Sequence, residues 1–317
     1  MDDFFNRQKI EMPTQQISGS LSAVAIRHLR RNKIAMISFG IITLYCAIAI
    51  GAQFGWLAPG YNDKHTKERI LETGARRSML REYEPPSREF WFGTDIFGRD
   101  VFQMAVYGVR TALMIGLITS LIAIPIGLLM GVIAGYFGGI VDEIIVWFYS
   151  AVSSIPDLLL LLSLSLLFGR GLKGVYLAIG LTSWVSLCRL TRAEVAKLKN
   201  IEYVQAARAL GASHLRIIIR HIIPNLFHLV IINFTLRFCY AIKAEVILSY
   251  LGIGVEFGQP SWGNMIQGAN LELQRGVWWS FAAATAAMFF IVLAFNLFGD
   301  ALRDALDPRL INKTGSR

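Results

Sequence analysis

Charge is scarce in this chain: of 317 residues only 17% are Asp, Glu, Lys or Arg, while 54% are hydrophobic. The apolar residues run in long blocks, not in the period-2 or period-3.6 patterns of a half-exposed strand or helix, which excludes an ordinary soluble domain. Cysteine is nearly missing. Cys46, Cys188 and Cys239 are odd in number, lack metal-ligand spacing and lie in or beside apolar blocks, so they read as small buried hydrophobes. The five histidines, at 28, 65, 214, 221 and 228, are scattered, and His221 with His228 on one helix face does not make a metal site. No GxxxxGK[ST] phosphate loop, HExxH, CxxC or GxSxG occurs. No catalytic residue is assigned, and nucleotide binding by a phosphate loop of this chain is excluded.

What the sequence does have is length of apolar run. A helix crossing the hydrocarbon core needs roughly 20 mostly apolar residues, and the blocks 34–54, 111–137, 140–168, 226–248 and 277–299 approach or pass that limit. A sixth, 175–188, is shorter. The expected fold class is an all-α integral membrane protein of about six transmembrane helices. The first block starts too late and runs too long for a cleaved signal core, so it reads as a retained helix. The net charge of +9 does not point to nucleic acid, because the basic residues crowd the edges of apolar blocks where they meet lipid headgroups.

Sidedness follows from the same residues. With the amino terminus inside, segments 1–33, 189–225 and 298–317 carry 17 Lys and Arg, against 11 in 55–109, 169–174 and 249–276. The division expected is a cytoplasmic tail with an interfacial helix (1–33), a first transmembrane helix (34–54), an extracytoplasmic loop (55–109), a five-helix core (110–299) and a second tail (300–317). Within the tail, "SLSAVAIRHLRRNK" suits a short helix at the headgroup level. Both termini are placed in the cytoplasm. Gly127, Gly131, Gly135, Gly138 and Gly139 recur along the second helix and its exit, the spacing for close helix contact in lipid, in ordinary bundle packing or around a path. Pro125 and Pro156 sit inside spans and are expected to kink them.

The long basic loop 189–225 contains "IEYVQAARALGAS", a short amphipathic helix in which Tyr203, Ala206, Ala207 and Leu210 can share a face and Gly211 can turn the chain. Small residues on such a face suit a partner's groove. Gln205, Ala206, Ala207 and Gly211, followed by "HIIP", resemble the EAA loop of ABC importer permeases, with Gln205 in place of the Glu that names the motif and His221 where many families have Ile. "FGTDIFGRDVF", "AGYFGG" with Asp142, "SYLGIG", "PSWGNM" and "NLFGDALRDALDPRL" resemble the dipeptide, oligopeptide and nickel group, in particular its second, C-type permease. Val146, Trp147 and Ser150 depart from the family's pattern.

The resemblance implies a type I permease fold with a cytoplasmic coupling helix, in the bacterial inner membrane. It implies as partners a homologous second permease, two ABC ATPase subunits that use ATP and Mg, and an extracytoplasmic substrate-binding protein. It implies no cofactor on this chain, and no nucleic acid. The coupling residues carried over are Glu202, Tyr203, Gln205, Ala206, Ala207, Leu210, Gly211 and Ala212. Peptide is the expected substrate, with nickel or another small solute as the alternative. An ion-gradient-driven secondary transporter is the reading from another class, and would need an internal repeat or paired broken helices; a membrane enzyme would need a catalytic cluster.

Three further groups stand out. Thr94, Asp95, Arg99 and Asp100 form a polar cluster outside the second span, read either as an outer gate or binding-protein contact or as a hydrogen-bonded loop. Asp157 lies deep in the third block, where a charge faces the bundle interior, a partner or water, and Arg237 in the fifth block is its candidate partner; both are expected on the translocation path. Lys243 and Glu245, two apart, do not face each other and are expected to reach water near the outer boundary.

Overall fold

The computed structural model describes residue 27 and residues 29–70, 76–256 and 258–306. The tail 1–19 and the end of the carboxy-terminal tail lie outside them, as does most of the expected interfacial helix, of which residues 27 and 29–31 are helical. Asn32 starts α1 (Lys33–Gln53) by accepting hydrogen bonds from the Ile34 and Ala35 amides at 3.0 and 3.2 Å. Its apolar surface is largely exposed, as in Ile37, Phe39 and Leu44, which suits a lipid-facing helix. Cys46 is exposed on it, whereas Cys188 and Cys239 are buried; the expectation of three buried thiols fails because α1 packs along only one side.

The loop after α1 holds one antiparallel ribbon, β1 (Thr66–Ile70) with β2 (Arg76–Leu80). The second helix, α2 (Val101–Phe137), starts well before the apolar block at 111, because Asp100 caps it by accepting from the Phe102 amide at 2.9 Å. It stays helical through Pro125. Along its inner half, a Cβ at Gly127, Gly131 or Gly135 would meet atoms of Trp184, Thr191 or Arg192 at 2.6–2.7 Å. These glycines let α2 seat against α6 (Val185–Leu198) backbone to backbone.

The third apolar block is broken. Helices α3 (Gly139–Ser153) and α4 (Asp157–Leu167) meet at 90°, with Pro156 at the N-terminus of α4. The short fourth block joins α5 (Leu172–Thr182) to α6 as one candidate span. After α7 (Glu202–Ala209) comes α8 (His214–Tyr250), whose turn Ile218–Ile222 is a π-helix. Helices α9 (Trp262–Leu273) and α10 (Trp279–Leu306) complete the described residues. Among the described residues, five helices are long and apolar enough to cross a membrane, or six if α3 and α4 are one span.

Contacts at the two ends of the bundle place the ends of the bent pair. Gly139 follows Tyr136, which bonds to His214 at the start of α8, whereas Gly171, just after α4, donates to Gly254 beyond the end of α8 at 3.1 Å. The bent pair therefore runs from one face to the other. Phe39 lies against Phe298, and Gln53 bonds to Arg110, so α1 begins on the face where α10 ends. The main core lies between α2, α8, α9 and α10, where fully buried Trp262 donates to Ala105 O at 3.0 Å.

Candidate functional site

Helix α7 is held by one buried residue and left open on the rest. Val204 is fully buried among Val132 and Tyr136 of α2, Val195 and Leu198 of α6, and Ile217, Ile222 and Leu226 of α8. Around it, Asn225 donates to Tyr203 Oη at 3.2 Å and Gln205 donates to Asn200 O at 3.1 Å. Tyr136 Oη and His214 Nδ1 lie 2.9 Å apart, and the Arg208 guanidinium sits over the Tyr136 ring. Glu202, Tyr203, Gln205 and Ala206 are exposed, Ala207 and Ala212 partly so, and Leu210 is 89% exposed. Gly211 closes the helix at φ +80°, a left-handed conformation that strains any side-chain residue, with open space around its α-carbon. The face expected from Tyr203, Ala206, Ala207 and Leu210 is thus open.

A second feature is a cavity of about 720 Å³ lined by Asp157, Ser186, Arg189, Asn233, Arg237 and Tyr240 with neighbouring residues. The break at Pro156 puts Asp157 at the exposed N-terminus of α4 and on this cavity wall. Arg237 is 7% exposed, and its Nη2 donates to Ser186 Oγ at 2.7 Å while its Nε has no partner. Asp157 and Arg237 share the cavity, but no ion pair joins them, since Arg237 turns to the α6 hydroxyl instead. Lys243 is exposed, whereas Glu245 is buried and accepts from Ser249 Oγ at 2.7 Å. The expectation that both reach water fails for Glu245, which points at the α9 side, against Gly263.

On the opposite face, the cluster before α2 uses its polar atoms internally. Asp95 accepts from the Phe97 and Arg99 amides and pairs with the Arg99 guanidinium at 2.6 Å. Thr94 Oγ1 donates to Arg81 O at 2.5 Å and accepts from the Glu84 amide, and Trp279 Nε1 donates to Thr94 O at 3.0 Å. Thr94, Asp95 and Asp100 are buried. Beside them a smaller cavity of about 200 Å³ brings in Glu272, whose Oε2 is buried without a partner. Burial, then the nearby Asp95 charge, pushes the Glu272 carboxyl up to about 7.

The model of the binding-protein-dependent transport system inner membrane component matches residues 123–312, more than half of the chain. The chain belongs to that family. It is the permease component of an ABC transporter, a multi-pass inner-membrane protein, and not the ATPase of that system. A model of the N-terminal transmembrane domain of oligopeptide transport permease C matches residues 20–86. The permease is 36% identical over 286 residues to the dipeptide transport system permease protein DppC of Bacillus subtilis (strain 168), covering 90% of this chain and 85% of that one. To the oligopeptide transport system permease protein OppC of the same organism it is 35% identical over 291 residues, covering 92% and 90%. The solved structure of the inward-facing MetNI methionine ABC transporter aligns with a TM-score of 0.52 at 16% identity, over 64% of this chain and 96% of that one, a likeness of fold.

Several residues of the permease escape a reading by motif. Ser186, Arg189, Asn233 and Tyr240 join the cavity only through the tertiary fold, although Asn233, Arg237 and Tyr240 at i, i+4 and i+7 are a legible polar stripe on an apolar helix. Asp142, noted only as part of a motif, pairs with Arg192 and ties α3 to α6. Leu215 and Ile219, exposed and four apart, line a shallow pocket with Ser213, Arg216 and Arg220 beside α7. They extend the open apolar face beyond the motif.

Proposed function

We propose that this permease forms half of a peptide translocation path and couples it, through α7, to an ATP-driven motor. The observation that carries the reading is the posture of α7, gripped at Val204 by the ends of α2, α6 and α8 while Tyr203, Ala206, Leu210 and Gly211 stay open. A partner that seats on this face moves three spanning helices together. The partners in this reading are a homologous second permease completing the path, two ATPase subunits using ATP and Mg on the cytoplasmic side, and an extracytoplasmic binding protein. Both termini lie with α7 in the cytoplasm, which agrees with the positions of Phe39 and Phe298. The peptide substrate is supported by the names of the dipeptide and oligopeptide relatives.

The mechanism follows from which parts are stiff. Closure of the ATPases on ATP draws the α7 helices of the two permeases together, and the inner halves of α2 and α6, locked at Gly127, Gly131 and Gly135, tilt as a unit. The break between α3 and α4 lets the wall carrying Asp157 change angle without unwinding a continuous helix. On the outer face, the internally bonded loop around Asp95 and Arg99 presents a fixed surface to the binding protein.

The test is a bulky side chain on the open face. Ala207→Trp in the assembled transporter is expected to leave membrane insertion intact and to lower peptide uptake at least tenfold while ATP hydrolysis loses its response to loaded binding protein. Undiminished uptake in that variant contradicts the docking role.

A further inference from the structure

We infer that the cavity between α4, α6 and α8 is a peptide-binding station that reads both ends of a free peptide, the α-carboxylate at Arg237 and the α-ammonium at Asp157. This rests on the proposed peptide path and adds to it a chemical selectivity within the membrane.

A guanidinium in the middle of an apolar helix is costly unless something meets its charge. Arg237 is nine-tenths buried, and among the described residues no carboxylate pairs with it. Its hydrogen bond to Ser186 fixes the orientation of the group but brings no negative charge, and the Nε donor remains unused. The side chain lines a cavity of about 720 Å³, which falls in the range of about 300–1,000 Å³ usual for small-molecule sites. A carboxylate that reaches the guanidinium from the cavity can meet it in a planar fork. Arg189, whose Nη2 donates to Ser153 Oγ at 2.9 Å, adds a second positive charge on the same wall.

The cavity also has the opposite charge. Asp157 is exposed at the N-terminus of α4, accepts no side-chain hydrogen bond and has no ion-pair partner among the described residues. Asp157 and Arg237, which do not reach each other, together match a short zwitterion, with Arg189 held on Ser153 as a further positive charge beside them. A single-charge solute, such as a metal cation or a lipid phosphate, leaves either Asp157 or Arg237 unmatched.

The test uses a thiol reporter in the complete transporter reconstituted in nanodiscs without binding protein. Cys46 is replaced by Ser because it is exposed, and Leu190, an exposed cavity residue, by Cys; the buried Cys188 and Cys239 stay. A hydrophilic maleimide is expected to label Leu190→Cys, and dialanine to slow the labelling. Dialanine amide and N-acetyl-dialanine are expected to protect about tenfold less well, the loss of one charge-assisted contact each. The preference for the free carboxyl is expected to vanish in Arg237→Gln and to persist, weakened, in Arg237→Lys; the preference for the free amine is expected to vanish in Asp157→Asn, an exposed site whose change spares the fold. If the reporter is not labelled at all, the cavity is not an aqueous path and the underlying reading falls. If it is labelled but all three peptides protect equally, or either preference survives its neutral variant, the path stands and recognition of the peptide ends is overturned. Protection by a phosphate-headgroup lipid but not by dialanine overturns it in favour of a lipid site. Should Arg237→Gln not assemble, Ser186→Ala, which removes the guanidinium's anchor, is expected to reduce the carboxyl preference, and an unchanged preference there counts against the inference.

Discussion

The buried Glu272 of α9 links stability to pH. Its carboxyl is buried beside Asp95, its Oε2 is unpartnered, and its pKa rises from 4.5 to about 7. In the unfolded chain it ionises at about its ordinary value, so between pH 4.5 and 7 the unfolded state has lost a proton that the native state keeps. Stability from this group is therefore full below pH 4.5 and is lost as pH rises to about 7. Thermal unfolding of the detergent-purified protein is expected to show a wild-type Tm that falls across this window relative to Glu272→Gln, with parallel curves outside it; a difference independent of pH refutes the assignment. The same scale explains where reading residues from the sequence stopped. Asp157 and Arg237 stand out because charge inside an apolar block is rare, and both do line one cavity. That they do not pair was not legible, because Ser186, which binds Arg237, is an unremarkable serine fifty-one positions away.

At the scale of elements, α7 and the bent pair α3–α4 have different tasks. Helix α7 is only eight residues long and has no side-chain N-cap, so it owes its order to tertiary packing more than to its own hydrogen bonds. Val204→Ala removes two buried methyl groups at the meeting point of three helices and is expected to cost about 1–3 kcal/mol. Faster amide exchange over Glu202–Ala209, with the spanning helices unchanged, is the expected readout, and peptide uptake is expected to fall more than ATP hydrolysis. Exchange that stays at the wild-type rate shows that α7 is fixed by something other than Val204. The motif pointed to this helix correctly because small residues and a terminal glycine are a local signal. The buried anchor was not visible in the motif, since burial depends on where α2, α6 and α8 end.

At the scale of the whole molecule, the proposed orientation puts both termini and α7 on one side of six crossings. Cysteines placed singly in a Cys46→Ser background are expected to react with an impermeant thiol reagent added outside whole cells at Gly276, which sits in open space after α9, and to stay unreactive at Ala209 until the membrane is permeabilised. The reverse pattern contradicts the orientation. The sequence by itself determined that this is a membrane protein with a short helix ending at a glycine in a basic loop, because hydropathy over a span and a run of small residues before a glycine are local properties, set by the solvent each segment must meet. Tertiary structure alone decided that the two ends of the bent third block meet opposite ends of α8, and that an aspartate and an arginine from different helices face one cavity without neutralising each other. Those outcomes depend on which side chains arrive from distant parts of the chain, and no periodicity within a block encodes its neighbours.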